Sequence, residues 1–335
     1  MREPAFWRSS TPLAQLLAPA ALIYAAIADA RMRRAGARAG VPVLCVGNFT
    51  VGGAGKTPSA LTLAKLLLAR SMKPFFLTRG YGGRARGPLL VQAGHTAAEV
   101  GDEALVLARL APTIVAHDRA AGADAAVAAG ANVIVMDDGF QNPALEKDFA
   151  LVVIDGERGI GNGWVFPAGP LRASLDVQLA YADAILVMGG ISSSTRQVMA
   201  RARAGGIPVL TGQLVPDPQA VAALQGRKVL AYAGIGNPDK FLATLAASGI
   251  YVAEARRFAD HHPFTPSEAK ALLQVARRGG LTLVTTEKDM ARLRGDERLA
   301  ALADASSVLP VTMAFDDEAA ARRDVIDGFM KAASG

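Results

Sequence analysis

The residues best suited to chemistry begin in one stretch, 43–57, which reads V-L-C-V-G-N-F-T-V-G-G-A-G-K-T. An apolar run that breaks into glycines and ends in Lys56-Thr57 predicts a strand feeding a phosphate-binding loop. Gly52, Gly53 and Gly55 can take backbone angles closed to other residues, so the amides of Thr50, Val51 and Ala54 can also approach a polyphosphate closely. Lys56 then supplies charge to the terminal phosphates, Thr57 a hydroxyl to magnesium, and Pro58 opens the helix that follows. The G-x-x-x-x-G-K-[ST] pattern would place its first glycine where this chain has Thr50, so the match is G-G-x-G-K-T with a looser start.

A second group lies after the apolar run 133–136, where Asp137-Asp138-Gly139-Phe140-Gln141 follows. An acid at the C-terminal end of a buried strand, downstream of a phosphate loop, predicts a carboxylate that holds magnesium, directly or through water. The loop R-G-Y-G-G-R-A-R-G at 79–87 suits an anion, although its composition equally suits a solvated loop. Asp102 and Glu103 open a helix, where acids also occur for dipole reasons alone. A phosphate-transferring enzyme needs a proton acceptor and cations for the acceptor molecule, and the candidates are Asp102, His261, Arg79, Arg119 and Arg172. Periodicity does not rank them. Guanine recognition would call for N-K-x-D, and the nearest string is T-E-K-D, so ATP is the expected nucleotide.

The elements that must position these residues alternate between apolar strands and amphipathic helices. This predicts an α/β fold: a P-loop NTPase-like, mostly parallel sheet with helices on both faces, followed by a second, smaller α/β domain. The expected units are an N-terminal amphipathic helix in 1–40, a P-loop triphosphatase or kinase domain in 41–215, and a smaller C-terminal α/β domain in 216–335. At 335 residues and 51% hydrophobic content the chain is long enough for two cores. A strand is expected near 308–313, and a return of the chain to the first sheet after residue 310 stays open.

The net charge of +6 is concentrated, because residues 1–40 hold Arg2, Arg8, Arg31, Arg33, Arg34 and Arg38 against Glu3 and Asp29. No basic surface interleaved with aromatics is apparent, so no nucleic acid is expected as a partner, and nothing calls for an obligatory protein partner. Within 11–30 the chain is nearly uncharged, with Leu13, Leu16, Leu17, Ala20, Tyr24 and Ile27 at helical spacing. Its many alanines and its Pro12 and Pro19 favour a helix lying on an anionic membrane surface over one that spans it; a helix packed on its own domain is the alternative. The basic cluster at 31–38 would then contribute about 1 kcal/mol per residue against anionic lipid. Because that cluster follows the apolar part, a cleaved leader is not expected. The single cysteine, Cys45, reads as a small buried hydrophobe, and the four histidines show no spacing that would converge on zinc.

Taken together, V-G-N-F-T-V-G-G-A-G-K-T-P, T-R-G-Y-G-G, G-D-E, D-D-G-F-Q, P-A-G-P-L-R, G-I-G-N-P, F-x-D-H and T-E-K-D resemble, in this order and over roughly residues 4–313, the tetraacyldisaccharide 4′-kinase family, the lipid A 4′-kinases of Gram-negative bacteria. The resemblance implies transfer of the ATP γ-phosphate to the 4′-hydroxyl of an acylated glucosamine disaccharide 1-phosphate at the cytoplasmic face of the inner membrane, the enzyme being peripheral. It implies phosphate and Mg²⁺ binding by Lys56 and Thr57, with Asp137 and Asp138 as magnesium-side acids, Asp102 as base and Glu103 supporting the metal. His261 would pair with Asp102 across a cleft, which implies that the C-terminal domain closes over the site; the string D-H-H leaves His262 one position away, and His261 is favoured because it directly follows Asp260. Arg79, Tyr81, Arg119, Gln141 and Arg172 would face the sugar phosphate or the moving phosphoryl group. The rival expectation is a membrane-recruited switch ATPase, which places a lysine directly before the paired glycines where this chain has Val51.

Overall fold

The structure, a computed structural model, describes residues 4–9 and 11–334; the outermost positions of the expected 1–40 and 216–335 units, with residue 10, lie outside the described residues. In chain order the strands are β1 Val43–Gly47, β2 Pro74–Thr78, β3 Leu89–Leu90, β4 Thr113–Val115, β5 Val133–Asp137, β6 Phe149–Asp155, β7 Ala184–Met188, β8 Val209–Pro216, β9 Lys228–Ala233, β10 Tyr251–Arg257, β11 Thr282–Thr285, β12 Ser306–Val308 and β13 Val311–Phe315. Nine of them form one sheet in the order β13-β8-β7-β6-β1-β5-β2-β4-β3, and the other four form a second sheet, β10-β9-β11-β12.

β1 pairs in parallel with β5 on one side and β6 on the other, and all five of its residues are buried. A strand covered on both faces needs no polar alternation, which is why its sequence is an unbroken apolar run. Among the described residues, the strands of this sheet pair antiparallel only at its margins, between β3 and β4 and between β13 and β8. From β1 the chain first moves to β2, and only later returns to β6 on the opposite side. The winding therefore reverses at β1, and the crevice beyond its C-terminal end is where such sheets bind ligands.

The helix Lys56–Leu68 carries no glycine and buries Ala60, Leu63, Ala64 and Leu67 on one sheet face, in a core shared with Phe76, Phe149 and Phe329. On the other face Ala123 and Ala126 of the helix Arg119–Ala128 pack with Phe49, Ile134 and Met136. The N-terminal helix Pro12–Met32 adds Ala25 and Met32 to this second core. Thr11 caps that helix by accepting the Ala14 amide at 3.3 Å, and Pro12 occupies a first-turn position where no amide is needed. Its buried side is alanine and methionine, whereas Leu16, Leu22, Ile23 and Ile27 are each more than 60% exposed.

The second sheet is parallel throughout. β9 runs into Gly234–Pro238 and the helix Pro238–Ala247, and β11 into the helix Glu287–Arg294. The region expected as one strand near 308–313 is two strands in different sheets. β12 pairs with β11, while β13 pairs antiparallel with β8, and Phe329 of the last helix is buried in the core under the large sheet. The expected 216–335 unit thus differs at its end: the segment from Val311 onward returns to the first sheet, because its apolar residues find their partners there.

Candidate active site

The phosphate loop is pinned before it turns. Asn48, fully buried, donates to the Gly52 carbonyl at 3.0 Å. Gln141 Nε2 donates to the Asn48 carbonyl at 2.6 Å and to Gln178 Oε1 at 2.8 Å. Val51 N donates to the Pro170 carbonyl at 2.8 Å, and Arg172 Nε to the Thr50 carbonyl at 3.0 Å. Thr50 forms a β-bridge with Leu171, so extended backbone stands where the common loop pattern has its first glycine. Gly55, at φ +91°, makes the left-handed turn that starts the helix at Lys56, a conformation costly for any residue with a Cβ.

Asp137, the last residue of β5, accepts a hydrogen bond from Thr57 Oγ1 at 3.1 Å through Oδ2; its Oδ1 is buried and has no hydrogen-bond partner. Burial, with the neighbouring charges of Glu103 and Asp138, pushes its carboxyl up to about 7. An orphaned carboxylate oxygen beside a hydroxyl is an oxygen-donor set that suits Mg²⁺, and a bound cation would offset the cost of that burial. Asp138 sits at φ +55° and is gripped by Arg172 through two hydrogen bonds of 2.8 and 3.3 Å, with Lys56 Nζ 3.6 Å away. Burial alone would raise its carboxyl, but Lys56 and Arg172 hold it well below the usual carboxylate range. Lys56 also donates to the Gly52 carbonyl at 3.4 Å.

On the same large-sheet unit, Gly101 at φ +86° joins two short helices and aims Asp102, which is 3% exposed, toward residues of the small-sheet unit. Asp102 Oδ1 accepts the Glu103 amide at 2.8 Å, and Oδ2 faces both His261 Nδ1 at 3.0 Å and Arg292 Nε at 2.8 Å. Burial opposes ionisation, yet the His261 hydrogen bond and the charges of Arg292 and Lys288 outweigh it and hold this carboxyl well below its ordinary value. His261 moves the other way: its hydrogen bond to Asp102 and nearby carboxylate charge raise its pKa against the opposing effect of burial. His261, like Asp138, is held at φ +55°, a left-handed conformation that non-glycine residues adopt rarely and at functional sites. His262 instead contacts Glu268 at 3.0 Å.

Glu103 receives Lys288 Nζ at 2.6 Å. Tyr81 is 62% exposed and meets the His261 ring edge-on at 4.9 Å. Arg79 is exposed. Arg119 is buried, donates to the Ala116 carbonyl at 2.5 Å, and leaves its Nε without a partner. Gln141 and Arg172 are committed to the loop. The structure therefore brings Asp102, His261 and Tyr81 to one wall, and places Arg119, Gln141 and Arg172 around the loop and its acids.

Two cavities open here. One of about 200 Å³ runs between Gly53, Thr57 and Pro58 on the large sheet and Ile235, Asn237 and Phe241 on the small one. The other, about 770 Å³, is lined by Tyr81, Asp102, His261 and Arg292. The Lys240–Asp155 ion pair, at 3.0 Å, ties the helix Pro238–Ala247 to the end of β6 beside the first cavity. Sequence reasoning named neither this pair nor Arg292. Lys288 lay inside the T-E-K-D string without a role, and Arg292 falls one helical turn after it, the only trace of its position that the sequence carries.

The family described as Tetraacyldisaccharide-1-P 4'-kinase matches residues 13–329. A tetraacyldisaccharide 4'-kinase of Nitrobacter winogradskyi is 54% identical over 333 residues, covering 99% of this chain and 98% of its own length. One from Rhodopseudomonas palustris is 56% identical over 327 residues, covering 97% and 95%. Among solved structures, LpxK from Aquifex aeolicus in complex with ATP is similar with a TM-score of 0.68 and 25% identity, over 95% of this chain and 99% of that one. With the phosphate loop, its acids and the facing Asp102–His261 pair in place, these likenesses run almost from end to end, and the chain belongs to the tetraacyldisaccharide-1-P 4'-kinase family.

Proposed function

We propose that the protein transfers the γ-phosphate of ATP to the 4′-hydroxyl of an acylated glucosamine disaccharide 1-phosphate in lipid A biosynthesis, with Mg²⁺ held at Thr57 and Asp137. The observation that carries this reading is the Asp102–His261 contact at 3.0 Å facing the cleft that the phosphate loop enters, in a chain of this family. The switch-ATPase alternative has no such support.

In this reading the amides of 52–55 and Lys56 hold the β- and γ-phosphates, the Val51 amide being already committed to the Pro170 carbonyl, and the 200 Å³ cavity under residues 234–238 receives the rest of the nucleotide. When bound, Mg²⁺ supplies charge neutralisation on the phosphate oxygens. Asp102, whose oxygens are already engaged, orients the imidazole, and His261 Nε2 takes the hydroxyl proton; Asp102 then acts as the partner of the base rather than as the accepting atom. The hydroxyl oxygen forms its bond to the γ-phosphorus as the bond to the bridging oxygen breaks, and ADP leaves. Arg119 lies behind the acids with a free Nε, and Arg79 and Tyr81 stand at the acceptor side. Glu103 supports the metal indirectly, since its own carboxylate is paired with Lys288. The helix Pro12–Met32 is long and apolar enough to cross a membrane by length and composition; its exposed leucines and isoleucines and the following arginines support a peripheral seat on the cytoplasmic face of the inner membrane.

Incubation with ATP, Mg²⁺ and the acylated disaccharide 1-phosphate in mixed micelles is expected to give a doubly phosphorylated lipid, detected by mass spectrometry. ATP hydrolysis without any lipid product would overturn the assignment.

A further inference from the structure

Arg292 enters the site from the small sheet and from the far end of the chain. Its Nε donates to the same oxygen of Asp102 that faces His261, at 2.8 Å, and its side chain is 9% exposed against 2% for Asp102. Its Nη1 donates to Asp289 Oδ1 at 3.0 Å and toward the His262 carbonyl at 3.4 Å. Asp289 is itself fixed: it is fully buried, accepts Thr286 Oγ1 at 2.6 Å and accepts the Gly234 amide at 2.9 Å. The guanidinium is thus wedged between one anchored carboxylate and one working carboxylate, and touches the backbone next to His261. Its planar fork fixes the angle between those contacts, which a lysine ammonium does not. One turn earlier on the same helix, Lys288 grips Glu103, so two cations at i and i+4 hold two consecutive acids of the large-sheet unit.

We propose that Arg292 is a positioning residue for phosphoryl transfer: anchored through Asp289, it fixes the Asp102 oxygen on which the His261 ring is aligned. The inference rests on the reading of Asp102 and His261 as the proton-accepting pair, and it makes docking of the helix Glu287–Arg294 a condition for that pair to form. Displacement of the oxygen by about 1 Å would cost on the order of 100-fold in rate without touching either substrate's binding.

The test is a double-mutant cycle with Arg292→Met and Arg292→Lys, each in the wild-type and Asp102→Asn backgrounds, reading kcat, both KM values and the melting temperature. Arg292→Met is expected to lower kcat by about 10- to 100-fold with KM for ATP and lipid within about twofold. Arg292→Lys recovers part of that loss. In the Asp102→Asn background Arg292→Met adds less than about twofold, since the carboxylate it positions is already gone. Unchanged kcat in Arg292→Met, or losses that multiply fully in the double variant, would overturn the proposal. Full activity in Asp102→Asn would instead overturn the proton-acceptor reading on which it stands. Should Arg292→Met fail to fold, Arg292→Lys completes the same cycle, with a kcat loss that vanishes in the Asp102→Asn background as the expected result and a persistent one as the contrary result.

Discussion

Asp102 and His261 meet at 3.0 Å although 159 residues separate them, and both depend on unusual backbone: Gly101 at φ +86° before one, φ +55° at the other. The contact raises the imidazole pKa, and a proton acceptor must be neutral to act, so turnover falls as pH drops below that raised value. The acidic limb of the kcat profile is therefore expected above the ordinary histidine value of about 6.5. Asp102→Asn removes the raising charge, so the limb of its residual activity moves to lower pH, and His261→Gln lowers kcat by about 100- to 10,000-fold. A wild-type profile in Asp102→Asn, or an unmoved limb, would refute these assignments. The phosphate loop was legible because it is local: strand, glycines, lysine and threonine fall within 43–57, and each does its work beside its neighbours. Arg292 was not legible, since its partner Asp102 lies 190 residues away and an arginine on a charged helix reads as a solvated side chain.

At the scale of elements, the buried parallel strands announced themselves as continuous apolar runs, and β1 and β5 lie where the runs before the phosphate loop and at 133–136 predict. The exception is the stretch 306–315. Two short strands there flank Leu309-Pro310, and which sheet each joins is set by distant edges, β11 for one and β8 for the other. No local pattern carries that information. The returning segment is integral to the kinase sheet, because Thr62 of the loop-bearing helix donates to the Met313 carbonyl at 2.7 Å and Phe329 is fully buried in the same core as Leu63 and Leu67. Phe329→Ala is expected to cost about 3–5 kcal/mol. Chemical denaturation should show this as a lower midpoint and loss of ATP protection together, because the core it empties lies under the phosphate loop. A loss confined to the second sheet, with ATP protection intact, would contradict the topology.

The whole molecule has an outside that is unusual in one place. Most of its large apolar side chains are buried, but the helix Pro12–Met32 turns Leu16, Leu22, Ile23 and Ile27 outward and keeps alanines against the protein. A helix that served only to cover its own domain would do the opposite, since exposing a leucine or isoleucine forfeits about 1.5–3 kcal/mol of transfer free energy relative to burying it. Arg31, Arg33, Arg34 and Arg38 follow at its C-terminal end, where cations suit both the helix dipole and an anionic lipid surface. The protein should therefore float with vesicles containing anionic phospholipid. Replacement of Leu16, Leu22, Ile23 and Ile27 by serine should abolish flotation at any salt concentration, because it removes the inserted area. Replacement of the four arginines by glutamine should weaken flotation chiefly at low salt, where charge attraction is least screened. With lipid presented in vesicles, both variants should show a raised KM for lipid and an unchanged KM for ATP, since the cavity proposed for the nucleotide lies between the two sheets and is lined by no residue of this helix. Flotation of the serine variant equal to that of the parent protein would assign the exposed face some other partner.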